Sequence, residues 1–483
     1  MSNISKEIQS GAFFLFLGRY SNLIIQIIIT GVLARLITPH EFGVVAIAMV
    51  FILFFNSLSD FGFGPALVQQ RIIKKLDIDS LFWVTFFQGV ILVTFFLSIK
   101  NFIVEFYDND ELNNILFYLS FTIFFTSLNT VPYSLNRRHK KFKYIGWSNV
   151  IINLITGSLA IILAIYYSYG IYALVIKVVF DSIILFLYNL KVANYVPSLN
   201  FSIYSIRRVF KYSAYQFLYN VLHYFSRNID NLFIGKYLGS TSLGYYDKSY
   251  KLMIMPVQNL TNVIAPVLHP VLAKYQDDKT IIALNYLNLV KLLSIIGFPL
   301  SVFIYFSSSE IIMLVYGADW VFSIIPFQFL AVSIGFQMVT SSARGVFQAL
   351  GKTKLLFTTT LFTLILISIS LYVGISIYSS LNVVSLLVSA SYVLTFIYVI
   401  QMVCIKSLKV KYIDLWKSVE SALYISLVLI FIYKVNFITL NSLLLSILYK
   451  TFLFVFTYII ITFLLKERFI IIVLNKIKSN LQK

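Results

Sequence analysis

Loops of alternating charge separate about fourteen apolar segments, and no other feature of the chain restricts its fold so far. The segments span residues 11–34, 42–68, 81–99, 115–135, 148–168, 171–190, 209–235, 243–270, 287–306, 322–349, 355–377, 382–404, 417–433 and 442–465. A helix needs roughly 20 residues to cross about 30 Å of hydrocarbon, and these lengths match. Inside hydrocarbon the backbone must satisfy its own hydrogen bonds, so helices are expected. The even-numbered loops are basic. The second holds Arg71, Lys74 and Lys75, the fourth Arg137, Arg138, Lys140, Lys141 and Lys143, and the sixth Lys191, Arg207, Arg208 and Lys211. Later ones hold Lys274 and Lys279, then Lys352 and Lys354, then Lys406, Lys409, Lys411 and Lys417. The odd loops carry few cations, and two of them are acidic (Glu105, Asp108, Asp110 and Glu111; Glu310 and Asp319). Positive loops stay in the cytoplasm. A missed segment would invert the alternation downstream of it, and no inversion occurs. The expectation is an all-α integral membrane protein with both termini cytoplasmic.

Only 12% of the residues are charged, against about a quarter in soluble domains. The net charge of +19 sits mostly in loops of one sidedness. It reads as topology and attraction to anionic lipid headgroups rather than as nucleic-acid binding. Cys404 is the only cysteine, which rules out an intramolecular disulfide. The first apolar run is too long for a signal peptide and no small-residue cleavage site follows it.

The chain repeats itself at an offset of 201 residues. Ala34-Arg35-Leu36-Ile37-Thr38-Pro39-His40-Glu41-Phe42-Gly43 aligns with Gly235-Lys236-Tyr237-Leu238-Gly239-Ser240-Thr241-Ser242-Leu243-Gly244, and Pro65 then aligns with Pro266. Six segments precede the second copy, so both copies have one orientation, as in transporters built from parallel repeats. The expected division is 1–197 for segments one to six, 198–408 for seven to twelve, and 409–483 for the last two and the tail.

Ala34 to Pro39, then Glu41-Phe42-Gly43 and Asp60-Phe61-Gly62-Phe63-Gly64-Pro65-Ala66-Leu67, resemble the start of bacterial polysaccharide repeat-unit flippases. Asp230-Asn231-Leu232-Phe233-Ile234-Gly235-Lys236-Tyr237-Leu238-Gly239, Arg137-Arg138 with Phe142, and Gln348-Ala349-Leu350-Gly351-Lys352-Thr353 fit the same pattern. The resemblance covers nearly the whole chain and extends to the exporter superfamily of lipid II flippases and multidrug extruders. It implies two six-helix lobes forming a V, with two additional C-terminal helices. The implied activity moves an undecaprenyl-pyrophosphate-linked oligosaccharide between leaflets of the bacterial cytoplasmic membrane. A polysaccharide polymerase and a chain-length regulator are the implied partners.

Charges inside a span are costly when they face lipid, by about 2.5–3.5 kcal/mol at the centre. Arg19, Lys177, Arg227, Lys248, Lys251, Arg344 and Lys450 are the basic candidates, and Asp60, Asp181, Asp230 and Asp247 the acidic ones. Arg227 and Asp230 are spaced i, i+3 and Lys177 and Asp181 i, i+4, so each pair can meet on one helix face. Neutralised structural pairs are one reading, and a substrate cavity whose pairs exchange during transport is the other. Lys450 and Arg344 are equally read as snorkelling toward an interface. Asn220, His223 and Arg227 form a polar stripe, and Asn22 and Asn153 add amides, a set suited to sugar hydroxyls or to interhelical hydrogen bonds. Lys248 and Lys251 lie near the outer end of a span, and Arg19 and Arg344 nearer the cytoplasm. Cations near both entrances suit a pyrophosphate, since Arg forks onto phosphate oxygens and Lys acts as a point charge. Gly62, Gly64, Pro65, Pro256 and Pro266 weaken their helices and are hinge candidates or static kinks.

No ATP motif is present: five residues separate Gly345 from Gly351, where a P-loop has four. His40, His139, His223 and His269 are scattered without metal spacing. No nucleophile–base arrangement appears, so the reading is a non-enzyme without cofactor or metal. A small-molecule or drug antiporter of the same fold is the alternative. A membrane-embedded polymerase is a third, which the short loops disfavour.

Overall fold

A computed structural model describes residues 3–59, 63–69, 73–166, 170–199, 201–202, 224–225, 227–273, 278–435, 440 and 442–465, with the side chains of 3–15, 65–66, 69, 260–273 and 353 excepted. The described residues form helices and no strand. In order these are α1 (Asn3–Ala34), α2 (Pro39–Ser59), α3 (Phe63–Gln69), α4 (Lys75–Tyr107), α5 (Glu111–Arg138), α6 (Phe142–Tyr166) and α7 (Ile171–Ala193). A helical stretch over 227–237 follows. Then come α8 (Gly239–Ala273), α9 (Lys279–Phe306), α10 (Ser308–Val315), a 3-10 turn (Ala318–Ser323), α11 (Ile324–Ala331) and α12 (Ile334–Ala349). The last four are α13 (Thr353–Tyr372), α14 (Leu381–Ile400), α15 (Tyr412–Val435) and α16 (Leu443–Leu464).

Eleven of the described helices are long and apolar enough to cross a membrane, and a twelfth span results if the pair meeting at a 54° bend between Ala331 and Ile334 is one crossing. This is a multi-pass membrane protein. The described spans agree with the expected all-α architecture, and a count of fourteen is not reached among the described residues. The tenth is the bent pair, and the eighth is α8, whose first half carries Asp247, Lys248 and Lys251. The seventh falls largely outside the described residues. The second covers α2 and α3, with residues 60–62 between them outside the described residues; of the hinge candidates, Gly62 is among these and Gly64 is buried in α3. Asp60 also lies outside the described residues. The backbone of Pro65 is part of α3, and α8 runs as one 35-residue helix through both Pro256 and Pro266.

The chain forms two compact units, Met1–Gly244 and Tyr245–Lys483. The expected division at 197/198 follows sequence symmetry. In packing, the stretch up to Gly244 groups with the first unit, where Tyr107 donates to Leu232 O at 3.2 Å, Asn109 meets Ser240 Oγ at 3.4 Å, and Lys236 lies 5.0 Å from the Phe106 ring centre. In the first unit α5 packs on α2, α3, α4 and α7. In the second, α9 packs on α11, α12 and α15. Gly297 and Gly335 let α9 and α12 approach closely, for a Cβ on Gly297 would lie 2.9 Å from Gly335 Cα. Small residues do this work between membrane helices, where lipid supplies no hydrophobic drive for association.

The start of α2 follows from its sequence. Thr38 and Glu41 form a reciprocal capping box: the Thr38 N–H donates to Glu41 Oε2 at 2.9 Å and the Glu41 N–H to Thr38 Oγ1 at 3.3 Å. Pro39 takes the first helical position, where no N–H is needed. Glu41 has a second task. Its Oε1 accepts the Ile171 N–H at 3.0 Å and so caps α7 as well. Gly170, at φ +43°, makes room, since a Cβ there would lie 2.1 Å from that oxygen.

Candidate functional site

In the first unit one set of membrane-embedded polar groups, which includes Asn22, Asn153, Lys177 and Asp181, lies along a seam of α1, α6 and α7. Glycines create it. A Cβ on Gly18 would sit 2.1 Å from Gly146 O, and one on Gly157 would sit 2.2 Å from Ile29 Cδ1, so α1 and α6 run nearly backbone to backbone. Between these contacts Asn153 Nδ2 donates to Asn22 Oδ1 at 3.1 Å. One turn further along α6, the buried Thr156 hydroxyl reaches Asp181 Oδ1 on α7. Lys177 Nζ lies 2.8 Å from the other Asp181 oxygen, with the two side chains 19% and 35% exposed. Arg19, partly buried on α1, precedes Asn22 by three residues and shares its face.

This ammonium–carboxylate pair sits near the middle of α7, a predominantly apolar helix. Breaking such a pair by removing one partner leaves a charge without compensation, so each partner holds the other in place. The Lys177 ammonium is also a point charge on a flexible stem, able to leave one anion for another.

The second pair expected from spacing does not form. Arg227 is exposed at the start of the 227–237 stretch, while Asp230 is buried and accepts the Asn231 N–H at 2.9 Å. No ion pair joins them among the described residues, because the two side chains take opposite environments. Asn220 and His223 lie outside the described residues.

In the second unit Lys248 and Lys251 part company. Lys251 Nζ pairs with Asp247 Oδ2 at 2.7 Å, its side chain 60% exposed. Lys248 is buried, its ammonium 5.8 Å from the Tyr316 ring centre and 5.9 Å from that of Trp320, within range of cation–π attraction. Ser249 Oγ and Ser323 O at 2.9 Å, and Ser323 Oγ and Tyr245 O at 3.1 Å, dock this part of α8 against the 3-10 turn. Arg344 is exposed on α12.

Lys450 does not snorkel alone. Its Nζ lies 2.6 Å from Glu310 Oε1 and 2.7 Å from Phe306 O, and Ser446 donates to the same Glu310 oxygen at 2.8 Å. Glu310, read in the sequence only as a loop acid, is buried. The bonds tie α16 to the α9–α10 junction, beside the stacked rings of Phe306 and Tyr433.

Sequence reasoning also passed over Asp79. This carboxylate on α4 is fully buried and accepts from the Tyr195 hydroxyl at 2.7 Å, from Ser198 Oγ and from the Ser198 N–H at 3.4 Å. Trp83 Nε1 donates to Ser198 O at 2.8 Å, and the Ser202 N–H to Ser80 Oγ at 2.8 Å. The segment after α7 is thereby strapped to α4. The run Asp77, Asp79, Ser80 and Trp83 was the available signal.

A family model described as "Polysaccharide biosynthesis protein" matches residues 32–325. The chain belongs to this family. It is similar to the teichuronic acid biosynthesis protein TuaB of Bacillus subtilis, at 25% identity over 77% of each chain. It is also similar to the lipopolysaccharide biosynthesis protein WzxC of Escherichia coli, at 26% identity over 63% of this chain and 62% of that one. Among solved structures, the lipid II flippase MurJ in an inward closed conformation superimposes with a TM-score of 0.76 and 16% identity, covering 95% of this chain and all of the other. The family membership and this fold agree with the architecture read from the sequence.

Proposed function

We propose that this protein is a flippase that carries undecaprenyl-pyrophosphate-linked oligosaccharide repeat units from the inner to the outer leaflet of a bacterial cytoplasmic membrane. The observation that carries the reading is the polar seam of Asn22, Asn153, Thr156, Lys177 and Asp181 inside a family of polysaccharide biosynthesis proteins. Amides and a hydroxyl suit sugar hydroxyls, and a cation that can exchange Asp181 for a phosphate suits the headgroup. The names of TuaB, WzxC and MurJ support a lipid-linked substrate, and the likeness to a flippase fold supports movement without chemistry. The protein acts as a transporter and not as an enzyme. The polyprenyl tail stays in lipid throughout, which preserves roughly 0.8 kcal/mol of burial for each CH₂. A polymerase and a chain-length regulator then use the exported units. Deleting the gene should leave lipid-linked repeat units on the inner leaflet while their synthesis continues. Normal polymer at the cell surface in the deletion strain would refute the reading.

Orientation follows from the basic loops: both termini and the loops holding Lys140, Lys279, Lys352 and Lys406 face the cytoplasm. In a Cys404→Ser background, an impermeant thiol reagent applied to intact cells should label Asp108→Cys and spare Lys140→Cys. Labelling at 140 would reverse the assignment.

A further inference from the structure

Three basic loops of the second unit end at one place. The start of α9, the α12–α13 turn and the segment closing α14 all rest on a single apolar cluster. Ile282 and Tyr286 come from α9, Phe347 and Ala349 from α12, and Val403, Cys404 and Leu408 from beyond α14, with Leu350 and Leu355 packed against them. Lys279, Lys352 and Lys406 stand at these three ends.

Two of these loops are held by helix caps. Asp278 caps α9, its Oδ1 accepting from the Thr280 and Ile281 N–H groups at 2.9 and 3.1 Å. The Gly345–Thr353 stretch that superficially resembles a phosphate loop is a helix terminator. Gly351 takes φ +66°, its N–H reaches Gln348 O at 3.1 Å, and the Lys352 N–H reaches Phe347 O at 2.8 Å. That is the Schellman arrangement, with glycine in the left-handed position. Its effect is to leave Lys352 half-buried at the end of α12, beside the shared apolar cluster. None of the three forms an ion pair among the described residues. Burial, then the ammoniums of Lys279 and Lys406, hold the Lys352 pKa below the usual lysine range. Like charges therefore meet here, with Asp278 the described carboxylate next to Lys279.

We infer that Lys279, Lys352 and Lys406 form a binding site for the phosphate headgroup of a multiply charged lipid, at the cytoplasmic face of the second unit. Three ammoniums in one place call for at least two negative charges. A phosphodiester supplies one negative charge, whereas a diphosphate, free or linked to a sugar, supplies two or more. Under the function proposed above, that lipid is the polyprenyl diphosphate substrate, met on the inner leaflet before it enters the membrane seam. The site itself is tested by binding alone, so it stands or fails separately from transport.

The test uses the full-length protein in phosphatidylcholine nanodiscs, with an amine-reactive footprinting reagent read by mass spectrometry. Undecaprenyl diphosphate and phosphatidylglycerol are added in separate arms. Lys409 and Lys411, exposed on the same side of the second unit, serve as references. Undecaprenyl diphosphate should lower the labelling of Lys279, Lys352 and Lys406 together and leave Lys409 and Lys411 unchanged. Lys352→Gln should weaken the protection of Lys279 and Lys406 by about fivefold, the contribution of one lysine near a charged lipid surface. Its thermal stability should equal or exceed that of the wild type, since a repulsion is removed. Equal protection of Lys409 and Lys411 would mean diffuse surface attraction and overturn the site. Equal protection by phosphatidylglycerol would overturn the requirement for a multiply charged headgroup, and no protection in either arm would overturn the proposal outright.

Discussion

Gly43 and Gly244 occupy equivalent positions of the sequence repeat, and in the folded protein they touch. A Cβ on Gly43 would lie 1.7 Å from Ser240 O and 3.1 Å from Gly244 N, and one on Gly244 would lie 2.0 Å from Pro39 O. The starts of α2 and α8 therefore cross with backbone against backbone, and neither position admits a side chain without movement. Gly43→Ala should destabilise the protein by roughly 1–3 kcal/mol, the usual cost of overpacking, and Gly43→Leu by more. Thermal unfolding in detergent measures this. An unchanged melting temperature for Gly43→Leu would show that the two helix starts are not in contact.

The Glu310–Lys450 bond sets a pH dependence. Burial by itself would raise the Glu310 pKa, but the Lys450 ammonium and the Ser446 hydroxyl outweigh it and hold the carboxyl below its ordinary value. A depressed carboxylate contributes stability that is complete above its unfolded pKa, about 4.3, and is lost as pH falls through the lower folded value. From pH 8 to pH 5 the wild type should show no change from this group. In Lys450→Met the buried carboxylate loses its partner and desolvation prevails, so its pKa rises. The sign then inverts, and the variant should be more stable at pH 5 than at pH 8. Melting curves at the two pH values decide it, and parallel curves for wild type and variant would contradict the assignment.

Asp79 predicts a local effect. Asp79→Ala removes the acceptor for Tyr195 and Ser198 at a buried position, a loss of roughly 2–3 kcal/mol. The segment 194–202 should then exchange its amides faster and be cut sooner by protease, while α5 remains protected. Equal protection of 194–202 in both proteins would show that Trp83 and Ser80 suffice to hold it.

The helices were legible because hydrocarbon allows little else. Lys177 and Asp181 were legible with them, since helical spacing alone makes them neighbours. Spacing misled at Arg227 and Asp230, where i, i+3 permits a pair but burial separates the two side chains. The contacts that escaped notice join residues far apart in the chain: Glu41 with Ile171, Asp79 with Ser198, Glu310 with Lys450. No local pattern encodes these, because the partner is chosen by packing. Lys248 carries the same lesson, since the rings of Tyr316 and Trp320 near it come from the end of α10 and the 3-10 turn, about 70 residues along the chain.

The central claim is transbilayer movement of a lipid-linked oligosaccharide, with the Lys177–Asp181 pair at its core. It is tested most directly in proteoliposomes, by measuring how fast a fluorescent lipid-linked oligosaccharide becomes accessible to a quencher outside. The wild type should move it at a rate well above that of protein-free vesicles. Lys177→Ala and Asp181→Ala should each slow it about tenfold or more, the effect of losing roughly 1.4 kcal/mol, while Lys177→Arg keeps most of the rate. Wild-type protein that is folded yet moves the lipid no faster than empty vesicles would contradict the account.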